Sequence, residues 1–583
     1  MAAYCTTLRN FQIVIALLKA NGIRKVIASP GSTNIPFVIS IQKDPFFEVY
    51  SSVDERSAAY MACGLAAESG EAVVITCTGA TASRNYLPGL TEAYYRRLPI
   101  LAITGVVCPN VMGILTAQVI DRSITPKDAV KMSVELPIIN SAEDEWLCNL
   151  KVNSVISELF RHGGGPVHIN IVSDYRNDTF DATAVCQTRK ILRIMQNGDF
   201  PELPRKRIGI FVGSHVRWTS ELTQVVEKFC AKYDAVVFCD HTSNYHGKGR
   251  VLFSLACSQQ GGLKDYTPDI MIHLGSVSGD YATTRLLYHA ECWRVSPDGN
   301  MADTSKRLKY VFEMEELEFF SHYIETDADC KNLDYCRKCN EYLLTLRTKL
   351  SKIDLPFSNI WIASQTAHQI PTNSVVHLGI LNSLRSWNFF DFPDGTECFC
   401  NTGGFGIDGC LSTLLGGALA QPEKLHFCIC GDLAFFYDLN ALGNRHVCKN
   451  LRLMLINNGR GTEFRNYLHT AAKFGDNADE FIAAAGHYGK QSPLLVKHYA
   501  EDLGFDYISA SNKAEFAECC QRFVVSTPAE KPLIFEVFTN YKDESDALFK
   551  VSHLHISFKN IVKKSTMSLL GKKNVVRLKR ILK

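Results

Sequence analysis

Nowhere in the 583 residues does an apolar run approach the roughly 18–20 needed for a membrane-spanning helix. The stretch at 11–18 is too short and leads straight into Lys19, so a folded helix is expected there and not a signal peptide. Net charge is lacking as well. Lys and Arg total 62 against 60 Asp and Glu, a balance of +2 that gives no case for nucleic-acid binding. A disulfide framework is missing too. There are 21 cysteines, but several (Cys77, Cys239, Cys428, Cys430) sit inside apolar stretches, which suits buried thiols in a reducing, cytoplasmic compartment. Cys336 and Cys339, with Cys330 upstream, have metal-like spacing, but no second half-site follows. A surface helix or hinge is the expected setting.

What is present is ordinary globular composition, 46% hydrophobic and 21% charged, long enough for three domains. Short β-rich runs alternate with helical segments. Strands are expected at 25–28, 73–77, 100–104 and 165–171, then at 208–212, 235–239 and 269–274, and finally at 374–378, 425–430, 451–456 and 532–537. This predicts an α/β protein of three doubly wound parallel-sheet domains, 1–182, 190–350 and 355–546, with a linker near 189–207 and a helix near 359–368. The segment 547–583 contains no acidic residue, while Lys559, Lys563, Lys564, Lys572, Lys573, Arg577, Lys579, Arg580 and Lys583 interleave with apolar residues. Such a basic amphipathic tail suits weak contact with an anionic membrane surface, a solvated helix end or a disordered extension.

Gly431-Asp432-Leu433 follows one expected strand, and Asn457-Asn458 follows the next, with a helix expected between them at 438–447. Both dipeptides are ordinary turn formers. Placed at neighbouring strand ends, however, a carboxylate and an amide could share a Mg²⁺ ion, which takes oxygen ligands and commonly keeps phosphate oxygens among them.

With Ser29-Pro30-Gly31-Ser32, Asp54-Glu55-Arg56-Ser57-Ala58 and Gly406-Ile407-Asp408-Gly409 also in place, the chain resembles the thiamine diphosphate (ThDP)-dependent enzymes. Within them it looks most similar to the SEPHCHC synthases, the menaquinone-pathway carboligases, and to acetolactate synthase-like proteins. The resemblance implies a pyrimidine-binding, a middle and a diphosphate-binding domain. It implies ThDP and Mg²⁺ as cofactors, and a homodimer or homotetramer with active sites at the subunit interface. Glu55 would hydrogen-bond the aminopyrimidine from a largely apolar pocket that raises its pKa, so that the thiazolium C2 proton can be removed. An acid at a helix start would also stabilise that helix. Gln118 matches a family active-site glutamine. Asn382, Ser383, Gly406, Ile407, Gly431, Asp432, Leu433 and Asn458 would contact the cofactor, with Ile407 propping its two rings. Asp432, the Asn458 side chain and the Arg460 carbonyl would hold the metal. FAD has no supporting signal.

Departures fall where substrate is expected. Thr33, after Ser32, and Thr402 stand where the SEPHCHC synthases carry arginines, and threonine cannot grip a carboxylate bidentately. Arg385 is the candidate replacement. Glu463 follows the asparagines in a stretch one residue shorter than the family's, and it puts a carboxylate near the acceptor. Residues 465–495 read as an elaborated loop, a lid or a surface insertion, containing His469, Lys473, Phe474, His487 and Tyr488. No adjacent His-His pair of the simple decarboxylases occurs in the first domain. The expected activity is decarboxylation of a small 2-oxo acid with transfer of the resulting carbanion to an acceptor. A decarboxylase releasing an aldehyde, and SEPHCHC synthase itself, are the alternatives.

Overall fold

Strands buried on both faces set the architecture of the computed structural model, which describes residues 4–122, 125–326, 334–487, 491–527 and 529–554. The chain divides into two compact units: Met1–Asp199 with Asp298–Glu313, and Phe200–Pro297 with Met314–Lys583. In the first, β1 (Lys25–Ala28), β2 (Glu48–Ser51), β3 (Val73–Cys77), β4 (Ile100–Val106), β5 (Ser133–Leu136) and β6 (Val167–Val172) form a sheet of order β2-β1-β3-β4-β6-β5. All its pairings are parallel. Every residue of β3, β4 and β6 is buried, because helices cover both faces, and this is why these strands read as continuous apolar runs. The 11–18 run lies in the helix Arg9–Ala20, which buries Phe11, Ile13, Val14, Ile15, Leu17 and Leu18 in one core.

β7 (Leu192–Met195) pairs in parallel with β13 (Leu308–Glu313) in the same unit. The segment expected to be a linker at 189–207 therefore contains a strand. Its four residues are too few and too exposed to show a period.

The second unit holds β8 (Ile208–Val212), β9 (Val236–Cys239), β10 (Arg250–Leu252), β11 (Ile270–Leu274) and β12 (Glu291–Val295), in the order β10-β9-β8-β11-β12. It also holds β14 (Val375–Leu378), β15 (Glu397–Phe399), β16 (His426–Gly431), β17 (Leu451–Asn457), β18 (Asp506–Ala510) and β19 (Leu533–Phe538), ordered β15-β14-β16-β17-β19-β18. The fold is thus α/β with three parallel sheets, as expected.

The helix expected at 438–447 is not formed. A helix spans Asp432–Tyr437 instead, followed by a 3-10 turn at Leu439–Gly443. The Asp438 carboxylate accepts hydrogen bonds from the Ser412 backbone N–H (2.6 Å) and hydroxyl (2.7 Å), which fixes a turn where the helix was expected to start. Cys336 and Cys339 lie in the first turns of the helix Tyr335–Leu350, with Cys339 buried in the core. Cys330 and Tyr488 lie outside the described residues, as does the tail beyond Leu554. Among the described residues no helix is long and apolar enough to cross a membrane.

Candidate active site

β16 ends at Gly431, whose register partner on β17 is Ile456, so Asp432 and Asn457-Asn458 emerge at one edge of the sheet. These are the carboxyl ends of parallel strands, where open α/β sheets bind ligands. Asp432 is 4% exposed. Its Oδ1 accepts the Leu433 backbone N–H at 2.8 Å, and its Oδ2 accepts that of Arg460 at 3.1 Å. Burial pushes the carboxyl up to about 6, against the pull of these N–H groups.

The two asparagines divide their work. Asn457 turns back into the sheet: its Nδ2 donates to Glu536 Oε1 at 2.6 Å, and its Oδ1 accepts the Gly459 N–H at 3.2 Å. Tyr507 donates to the other Glu536 oxygen at 2.7 Å. Asn458 differs, for its Oδ1 is buried with no hydrogen-bond partner. Buried acceptors are normally satisfied, so such an orphan is a position for a water, an ion or a ligand. A buried carboxylate and a free amide oxygen are a donor set suited to a hard divalent cation, and the residues fit Mg²⁺.

Around them, Gly406 precedes Ile407, which is half-buried against the cluster of Leu411, Leu414 and Phe435. Thr402 is buried, with its methyl near Gly279. Leu433 is half-buried and Gly431 has open space at its α-carbon. Ser383 is buried, and its hydroxyl accepts from Asn359 Nδ2 at 3.3 Å.

Arg385, the candidate for gripping a carboxylate, is already paired: its Nη2 lies 2.8 Å from Glu463 Oε2. Asn466 donates to the same oxygen at 3.0 Å. The Asn382 amide, oriented to satisfy both its ends, donates to Glu463 Oε2 at 2.8 Å and accepts the Glu463 N–H at 3.0 Å. Three residues from two distant segments thus converge on one carboxylate, and the Arg385 charge is neutralised within the chain.

The loop after Glu463 is ordered by groups that the sequence did not single out. Asp479 bridges Arg460 (2.6 Å) and Arg465 (2.9 Å), and Arg465 also meets Asp476 at 2.9 Å. Both guanidinium groups lie over the Tyr541 ring, at 4.5 and 4.6 Å from its centroid. Short 3-10 turns at Thr462–Arg465 and Thr470–Ala478 account for the helical character expected in this region. His469 packs edge-on against Phe464.

In the first unit Glu55 opens the helix Glu55–Ser69 and is half-buried, while the Asp54 side chain caps the helix by accepting the Ser57 N–H at 3.0 Å. The alanine-rich face of this helix packs tightly on the helix Leu87–Arg96, where a Cβ on Gly89 would fall 2.4 Å from the Ala59 methyl. Ser32 is exposed, but Thr33 is buried with its hydroxyl 2.8 Å from that of Thr78. Thr33 therefore occupies space between strand ends next to Gly105. Gln118 is exposed, in a left-handed backbone conformation (φ +63°), and its carbonyl lies close to Gly79. Arg122, which sequence reading passed over, is buried beside it, donating to Gly105 O at 3.0 Å and Asn170 Oδ1 at 2.6 Å.

A family model described as the thiamine pyrophosphate enzyme N-terminal TPP binding domain matches residues 9–113. Across 94% of this chain and 98% of the relative, the sequence is 32% identical to a 2-succinyl-5-enolpyruvyl-6-hydroxy-3-cyclohexene-1-carboxylate synthase of Bacteroides thetaiotaomicron. With the same coverage, it is 31% identical to the synthase of that name from Phocaeicola vulgatus and 30% to that of Bacteroides fragilis. The chain therefore belongs to the thiamine diphosphate-dependent enzymes, close to the 2-succinyl-5-enolpyruvyl-6-hydroxy-3-cyclohexene-1-carboxylate synthases.

Proposed function

We propose that the protein is a ThDP- and Mg²⁺-dependent carboligase that decarboxylates a small 2-oxo acid and joins the remaining fragment to an acceptor. The observation that carries this reading is the orphaned Asn458 Oδ1 beside the buried Asp432 carboxylate. These two groups and the Arg460 carbonyl would hold the metal against the cofactor diphosphate, with Gly431 and Leu433 beside it. Ile407 and Gly406 would support the cofactor rings, and Asn382 and Ser383 would serve the diphosphate through backbone N–H groups. When bound, the cofactor supplies the carbon nucleophile on which a 2-oxo acid loses CO₂. Glu55 would hold a proton at the aminopyrimidine, and Gln118 would orient the reacting fragment. The domains would be pyrimidine-binding (1–182), middle (190–350) and diphosphate-binding (355–546).

Glu55 is half-buried in a single chain, and its helix exposes Tyr60 and Met61. Both suit a site completed by a second copy, as a homodimer or homotetramer. Substrate choice is read from Arg385, Thr33 and Thr402. The first is neutralised by Glu463 and the two threonines are buried, so none of these three positions offers a free guanidinium to an anionic group. An acceptor rich in hydroxyls, met by Glu463, Asn382 and Asn466, fits better than one rich in carboxylates. The full-length similarity to the synthases favours a second reading, in which the chain makes the product in their name.

The test is turnover of 2-oxo acids with and without acceptors. Glu55→Gln should lower turnover about 10²–10⁴-fold while Mg²⁺-dependent ThDP binding persists. Full turnover in that variant would remove Glu55 from the mechanism. Fast aldehyde release with no gain from any acceptor would make the enzyme a decarboxylase.

A further inference from the structure

Arg122 carries a charge that the protein does not fully answer. Its side chain is 7% exposed, and a guanidinium cannot shed its proton to escape burial. Nη2 is spent on Gly105 O and Asn170 Oδ1, but Nε and Nη1 are buried without a partner. Among the described residues, the carboxylate joined to it is one amide away, since Asn170 Nδ2 donates to Glu135 Oε2 at 3.0 Å. Burying a charged donor without pairing is among the costlier things a fold can do.

Arg122 lines a cavity of about 40 Å³, together with Arg84, Tyr86, Leu90, Thr104 and His168. No Asp or Glu is among the lining residues. Arg84 adds a second positive charge. The Tyr86 hydroxyl is fully buried and makes no hydrogen bond of good geometry, with only the neutral Cys77 thiol and Ser29 hydroxyl beside it, and burial keeps it a neutral donor by raising its pKa. The Cys77 thiol beside it is likewise held neutral, pushed up to about 12. His168 brings no charge: its ring nitrogens meet Thr104 Oγ1 (2.7 Å) and Ser133 Oγ (2.8 Å), and burial lowers its pKa to about 3. One water needs about 10–15 Å³ of such space, so the cavity has room for a few waters or one small ion, and for no organic cofactor.

From this acid-free cavity and its unpaired donors we infer that the first unit binds a small monovalent inorganic anion of the halide class, held by Arg122 Nε and Nη1 and the Tyr86 hydroxyl. The ion would complete the neutralisation that Glu135 provides only at a distance. It would also pin the chain at Arg122, four residues after the strained Gln118. Water alone could accept the hydrogen bonds but would leave the charge.

The test is thermal unfolding of the full-length protein, loaded with Mg²⁺ and ThDP, at constant ionic strength as sodium gluconate is replaced stepwise by sodium chloride or bromide. A saturable rise of a few degrees is expected in the wild type, lost in Arg122→Gln. Tyr86→Phe should need several-fold more halide for the same rise. Crystals grown in bromide should show an anomalous peak within hydrogen-bonding reach of Arg122 Nη1. Identical wild-type curves in gluconate and halide would mean that the cavity holds water only. An undiminished response in Arg122→Gln would place the halide elsewhere. If that variant does not fold, the bromide peak and Tyr86→Phe decide.

Discussion

Asn457 and Asn458 are adjacent and chemically identical, yet they should fail in opposite ways. Asn457 holds Glu536 from a buried position, so Asn457→Asp would set two carboxylates against each other. The expected cost is about 2–4 kcal/mol in denaturant unfolding, the range for an unanswered buried charge. Asn458→Ala removes an acceptor that satisfies nothing within the chain. It should leave the stability of the unliganded protein within about 0.5 kcal/mol and weaken Mg²⁺-dependent ThDP binding instead. If both variants lose stability equally, the division of labour is wrong. Glu463 offers a second test at this scale. Glu463→Gln would release Arg385 from its 2.8 Å pair. The KM for a 2-oxo acid carrying a second carboxylate should then fall by up to about tenfold, or about 1.4 kcal/mol, while that for pyruvate stays put. An equal change for both acids would show that Arg385 faces no substrate.

At the scale of elements, the loop following Glu463 depends on Asp479. Its carboxylate is 22% exposed and joins two arginines stacked on Tyr541. Asp479→Ala should leave two like charges over one ring and loosen 462–487, at a cost of about 1–2 kcal/mol given the partial screening. Hydrogen exchange should quicken in that loop and stay unchanged in β16 and β17; uniform quickening would show that the loop is not a separable element. None of this cluster was legible beforehand, because its partners are set by the path of the folded chain. Arg385 and Glu463 meet across 78 positions for the same reason. Legible elements were those whose burial leaves a local trace. β1, β3 and β8 fall on the expected bounds, while β2 is too exposed and the three-residue strands β10 and β15 are too short to leave an apolar trace. The expected helix at 438–447 failed because the apolar spacing of Leu439, Leu442 and Val447 was local evidence, whereas Asp438 is committed to Ser412, 26 residues away. The placement of Asp432 and Asn458 at neighbouring strand ends could be read because strand ends in parallel sheets present whatever follows them.

For the whole molecule, pH is the lever that reaches several cores at once. His168, His273 and His377 are buried and neutral, with pKa values lowered by burial to about 3, 3 and 4 from the usual 6.5. A depressed folded pKa means that stability is complete above pH 6.5 and drains as pH falls from there toward 4. Each histidine contributes a slope of up to about 1.4 kcal/mol per pH unit. Glu544 opposes them. It is buried, accepts the Asn359 N–H and the Thr539 hydroxyl, and is raised from 4.5 to about 7. Its contribution is complete below pH 4.5 and is lost as pH rises to 7. Between 4.5 and 6.5 the three histidines outweigh Glu544 and Asp432, whose carboxyl is likewise raised by burial, so stability should climb with pH through that window and level off near neutrality. Glu544→Gln keeps the hydrogen-bond acceptor and removes its opposing arm. Its stability should rise more steeply from pH 4.5 to 6.5 and exceed that of the wild type above pH 7. Urea midpoints by circular dichroism from pH 4 to 8 test both statements. A flat wild-type profile below 6.5 would mean that the buried imidazoles find protons or water, and a variant curve parallel to the wild type would mean that Glu544 is ionised in the fold.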